Sequence, residues 1–153
     1  MPFTFQGLNE SNTVETAQLS LVLDPVTPVF AETNWFGGST DTQTINVENT
    51  SGVAVTYYVS ADWYAAAGDT VQNTRLLAER LEVGVVADPA GTPETLYDGK
   101  LAGLIQHRPA GRALADAANE DVEFILTLPA ADATELIQGM GVEFDLVFIA
   151  VAP

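Results

Sequence analysis

The chain contains no cysteine. That excludes disulfides and thiolate metal sites, and it leaves the redox compartment unmarked. It contains one histidine, His107, so the common zinc sites built on two or more imidazoles or thiolates have no ligands here. Basic side chains are scarce as well: 5 Lys plus Arg stand against 21 Asp plus Glu, a formal charge of −16. Such a chain repels phosphate backbones and anionic headgroups, which argues against nucleic acid or a membrane as partner. No apolar run approaches the ~20 residues that span a bilayer. The opening MPFTFQGLNESN has neither the basic region nor the long apolar stretch of a signal peptide. The chain therefore reads as cytosolic or as a mature form whose export signal has been removed.

Catalytic motifs are missing too. There is no H-E-x-x-H, no P-loop and no G-x-G-x-x-G. Ser11, Ser20, Ser39, Ser51 and Ser60 sit in no G-x-S-x-G context. His107, beside Arg108 and Pro109, reads as a surface-loop residue. The expectation is a protein that is not an enzyme.

What is present is apolar alternation. At 153 residues and 47% hydrophobic, the chain is long enough for one domain with a real core. Val122, Phe124, Leu126 and Leu128 alternate with other residues, and so do Val142, Phe144, Leu146, Phe148 and Ala150. A period of two over this length marks half-buried strands. Further strands are expected over residues 17–23, 42–49, 53–63, 81–87 and 94–97. Residues 42–49 and 53–63 flank an Asn49-Thr50-Ser51-Gly52 turn and are expected to pair as a hairpin. Gly37-Gly38 permits a reversal after Trp35 and Phe36, which read as a cap on the end of the core in preference to exposed interface anchors. Residues 65–73 read as a loop, followed by a helical turn or an irregular entry to the next strand. One more helical turn is expected over residues 101–105, and residues 107–119 read as a connector. About seven strands with no long amphipathic helix imply an all-β fold. The expected architecture is a jelly-roll or immunoglobulin-like antiparallel β-sandwich with short helical connectors and a protruding N-terminal strand.

The domain division follows from that strand. Residues 1–15 form an N-terminal segment and linker, and residues 16–153 form the sandwich. Phe3 and Phe5 alternate with Thr4 and Gln6, and Leu8 follows Gly7, with no hairpin partner close by. Such a strand either folds back on its own domain or adds to an open sheet edge of a neighbour, main-chain hydrogen bonds supplying affinity and alternate side chains filling pockets. Phe3, Thr4, Phe5, Gln6 and Leu8 are the candidate donor-strand residues. Glu143 with Asp145, and Asp121 with Glu123, share strand faces and read as solvated. Asp62, Asp69, Asp88 and Asp98 border loops and are the candidate oxygens for a calcium ion, although no D-x-D-x-D-G pattern links them. Asn9-Glu10-Ser11 and Asn49-Thr50-Ser51 match the N-glycosylation acceptor pattern.

The order of features resembles the TasA/camelysin family of secreted surface proteins over about residues 1–152. Matching segments are ETAQLSL from Glu15, GSTD from Gly38, TINVENTSG from Thr44 with VAVTY from Val53, and LYDGKL from Leu96. The ending matches as Leu128-Pro129, Ile137-Gln138-Gly139 and FDLVFIA from Phe144. The resemblance implies a jelly-roll-like sandwich, secretion, and a place in extracellular fibres of a biofilm or cell surface. In such fibres the N-terminal segment of one subunit completes a sheet of the next, so the expected partner is the chain itself, as a head-to-tail homopolymer. Camelysin-like members have been described as surface metalloproteases, but this chain has no zinc ligand set to carry that activity. The rival reading is a monomeric adhesin or carbohydrate-binding sandwich.

Overall fold

The computed structural model describes residues 9, 11–16, 18–107 and 109–152. Strands are β1 (Leu21–Asp24), β2 (Thr40–Asn49), β3 (Val55–Ala65), β4 (Glu82–Ala87), β5 (Glu94–Lys100), β6 (Arg112–Leu114), β7 (Asn119–Thr127) and β8 (Val142–Val151). One helix, α1 (Val71–Ala78), and two 3₁₀ turns, Leu101–Gly103 and Glu135–Ile137, connect them. The strands form a five-stranded sheet in the order β1-β2-β7-β4-β5 and a three-stranded sheet in the order β6-β3-β8. Every pairing is antiparallel. The expected all-β sandwich is what the chain forms.

Alternation places the core. Val122, Phe124 and Leu126 of β7 are buried, as are Val83, Val85 and Ala87 of β4, and Val55, Tyr57, Val59 and Ala61 of β3. These inward faces meet between the two sheets, which is why the polar residues between them reach solvent.

The expected hairpin of residues 42–49 with 53–63 is not formed. β2 lies between β1 and β7, whereas β3 lies in the other sheet between β6 and β8. The reason is Asn49. It is fully buried, and its Nδ2 donates to the carbonyls of Val53 at 2.8 Å, Ala115 at 3.1 Å and Leu114 at 3.2 Å. Its Oδ1 accepts the Ser51 N–H at 3.0 Å. The side chain thus stands in for ladder partners while the main chain crosses from one sheet to the other. Alternation marks a strand but not its neighbour.

Three smaller corrections concern element boundaries. The first strand begins at Leu21 rather than at residue 17. Part of the expected loop 65–73 is helical, because Thr70 caps α1 by accepting the Asn73 N–H and Thr74, Leu77 and Ala78 are buried beneath it. The expected connector 107–119 contains β6, entered through Gly111 at φ 128°. A Cβ there would lie 2.7 Å from the Tyr58 ring, so only glycine fits.

Candidate functional site

β7 and β8 carry the same alternation but meet different fates. The inward side chains of β7 are sealed, whereas Phe144, Leu146, Phe148 and Ala150 of β8 are only half-buried. The cause is position. β7 is central in the five-stranded sheet, whereas β8 ends the three-stranded sheet and pairs along its ten residues with β3 alone. Its other edge is unpaired among the described residues.

β1 ends the larger sheet on the same side. Leu21 and Leu23 point inward, and with Leu19, Ser20, Phe148 and Ala150 they line an open groove of about 260 Å³. Phe30, from the loop after β1, closes one part of the neighbouring β8 surface by stacking on Phe144 at 6.0 Å. Beyond that contact the groove is walled by apolar side chains, one polar side chain and exposed main-chain polar groups, with a strand edge along one rim. Five strands face three, so the inward side of β1 lacks an opposing strand. A fourth strand beside β8 would supply one.

The opposite side of the sandwich is closed. There the Tyr57 hydroxyl of β3 donates to Glu120 Oε1 of β7 at 2.7 Å. Arg112 of β6 grips the same carboxylate at 2.8 and 3.0 Å and also pairs with Glu94 of β5. This network ties the two sheets together at the β5/β6 edge. Burial, then the Glu120 hydrogen bond, raises the Tyr57 pKa far above the ordinary tyrosine value, so the hydroxyl remains a donor.

The other sequence candidates do not converge. Asp62 lies on the outer face of β3 opposite Asp145. Asp69 Oδ2 accepts the Gly141 N–H at 2.7 Å. Asp88 Oδ2 accepts the Thr92 N–H at 2.8 Å, and Asp98 lies within β5. The calcium candidates are thus dispersed, and no group of three or more His, Asp or Glu among the described residues could hold a metal ion. His107 is exposed. Trp35 is half-buried against the core, its Nε1 donating to Glu32 at 3.2 Å, while Phe36 is exposed. Asn49 is sealed and cannot serve as a glycosylation acceptor in the fold. Asn9 is exposed, its Oδ1 accepting from Asn12 Nδ2 at 2.9 Å. The donor-strand candidates Phe3, Thr4, Phe5, Gln6 and Leu8 lie outside the described residues. Among the described residues no helix is long and apolar enough to cross a membrane.

The residues that sequence reasoning missed are Leu19, Leu21, Leu23 and Ala150, which read only as core positions. Nothing in their own pattern distinguishes a core wall from a groove wall, because that depends on how many strands each sheet acquires. No protein-family model matches the chain. No curated protein matches it either.

Proposed function

We propose that this chain is the structural subunit of an extracellular filament, polymerising as residues 3–8 of one copy insert into the β1/β8 groove of the next. The observation that carries the reading is the mismatch of five strands against three, which leaves β8 half-covered beside a groove of apolar side chains and exposed main-chain groups. A strand laid along β8 would satisfy its unpaired edge groups, which otherwise invite uncontrolled pairing. Phe3 and Phe5 would face inward, each contributing roughly 1.5–3 kcal/mol when fully buried. A contact of this kind joins two different surfaces and does not close, so it makes filaments.

The groove suits a strand better than a sugar. Small-molecule sites run to ~300–1,000 Å³ with several convergent polar groups. This groove is smaller, and Ser20 is the only polar side chain in it. The resemblance to the TasA/camelysin family points the same way and adds secretion to the reading.

Negative-stain electron microscopy of purified protein, with and without residues 2–12, tests the proposal. Filaments are expected from the full chain and monomers from the truncated one. Full-length material that stays monodisperse under all conditions defeats it.

A further inference from the structure

The charge of this protein is unevenly placed along the chain. Residues 75–112 hold all 5 Lys and Arg and only five of the 21 acids. Residues 1–74 and 113–153 hold eight acids each and no basic side chain. The fold converts this into a spatial polarity. The basic segment supplies β4, β5 and the start of β6, at one edge of both sheets. β1, β2, β3, β7 and β8 come from the basic-free segments, so the groove edge has no cation on any strand near it. The ion pairs among the described residues stay away from the groove edge. Arg75 pairs with Glu79, Lys100 with Glu82 and Asp132, and Arg112 with Glu94 and Glu120.

The β8 rim is strongly acidic at its start. Asp145 directly opposes Asp62 in the ladder, and Glu143 is its near neighbour on the same outer face. The Tyr64 hydroxyl, 3.4 Å from Asp145, feels this field: the Asp145 charge raises its pKa.

The segment assigned to the groove is the opposite case. Residues 1–9 carry no charged side chain. Glu10 and Glu15 come next in the chain. Glu10 follows Leu8 by two residues, at most ~7 Å of extended chain, so insertion of residues 3–8 draws a carboxylate toward an edge that has no cation on its strands. At about 0.01 M salt the screening length is ~30 Å, and at 1 M it is ~3 Å.

We infer that the β1/β8 edge is the negative pole of the subunit, admitting a strand without charged side chains while repelling the acidic linker behind it, so that subunit addition is gated by ionic strength. This rests on the donor-strand reading above. Because the acids form no coordinating cluster among the described residues, the gate responds to screening and not to one ion.

The test has two arms. In the first, full-length protein elongates at about 0.01, 0.15 and 1 M NaCl, and in CaCl₂ at matched ionic strength, with growth followed by light scattering. In the second, an N-acetylated peptide of residues 1–9 is titrated into full-length Phe3→Asp, Phe5→Asp protein, whose own strand is disabled. Elongation is expected to rise about tenfold or more from lowest to highest salt, as like-charge encounters do. Peptide affinity is expected to change less than about twofold, since no side-chain charge enters with it. Glu10→Gln, Glu15→Gln protein should recover much of the growth at low salt, and CaCl₂ should match NaCl. Full-speed growth at the lowest salt, with the peptide still binding, overturns the gate alone. Calcium acting far below matched ionic strength overturns it too, by revealing a specific site. A peptide that binds at no salt concentration overturns the donor-strand reading and the gate with it.

Discussion

Tyr57 and Glu120 join the two sheets through a single 2.7 Å hydrogen bond, the tyrosine in β3 donating to the carboxylate in β7. The bond belongs to the network with Arg112 that closes one side of a sandwich whose other side is open. It also makes stability depend on pH at the alkaline end. Below pH 10.0, the ordinary tyrosine value, both folded and unfolded chains hold the proton. Above it the unfolded tyrosine ionises while Tyr57 keeps its proton, so the folded state binds more protons and stability falls as pH rises. Raised values at Tyr97, from burial, and at Lys100, from its hydrogen bond to Asp132, act in the same direction. Denaturant midpoints are expected to hold from neutral pH to near 10 and to fall beyond. Tyr57→Phe should cost roughly 1.5–3 kcal/mol at neutral pH, the worth of a hydrogen bond to a charged group, and should make the alkaline decline shallower.

Strand existence was legible because a two-residue period survives in any sheet environment. β7 and β8 show it equally. Strand partnership was not, because it is decided by single buried polar groups such as Asn49, whose role appears only once Val53, Leu114 and Ala115 are brought around it. Only the second half of α1 was legible, because its first turn, Val71-Gln72-Asn73, is mostly polar and lies outside the apolar pattern. The groove was legible only in part. The alternation of Phe3 and Phe5 suits a strand that folds back on its own domain or adds to a neighbour, whereas the open edge of β8 emerged only from counting five strands against three.

Asn49 should be irreplaceable for the same reason. Asn49→Ala strips a donor from three carbonyls at once, and an unsatisfied buried polar group costs about 1–3 kcal/mol. Serine and leucine have the wrong reach or no donor to spare, so they should do no better. Urea denaturation of the variant is expected to show a loss of several kcal/mol, beyond that of an exposed asparagine such as Asn12→Ala. A loss under about 0.5 kcal/mol would mean the corner is held by the main chain instead.

The half-burial of β8 predicts an asymmetry between two phenylalanines in edge-to-face contact, Phe124 and Phe148, whose rings lie 6.1 Å apart. Phe124 is fully buried, and its truncation to alanine should cost about 3–5 kcal/mol. Phe148 lines the open groove, so Phe148→Ala in unassembled protein should cost clearly less. The order should narrow once filaments form, because filling the groove buries Phe148. Equal costs in the monomer would show that the groove is already closed.

Directly opposed carboxylates at Asp62 and Asp145 should be a local liability. Like charges facing one another across a ladder destabilise by an amount comparable to the roughly 0.2–1 kcal/mol of a favourable pair. Asp145→Asn is therefore expected to stabilise the fold in low salt, with the gain shrinking as salt screens the pair. Melting temperatures of variant and parent at about 0.01 M and 1 M NaCl measure this. A gain independent of salt would point to packing, not charge.

Ala150 offers the most direct way to separate the groove from the strand proposed to fill it. Its small side chain lies beside Phe148 and opposite Leu19, Leu21 and Leu23, leaving the space a larger residue would take. Ala150→Phe supplies an apolar plug from the acceptor's own β8. The added ring lands on apolar walls, so the variant should fold with an unchanged or raised denaturant midpoint, because burial of apolar surface favours it at about 25 cal/mol per Å². Its N-terminal segment is untouched. The variant should therefore still donate a strand to wild-type protein yet accept none. In mixtures it should add to one end of a growing filament and stop it, shortening filaments at substoichiometric ratios, as seen by electron microscopy. A stably folded Ala150→Phe protein that polymerises alone as well as the parent would show that the incoming strand binds elsewhere.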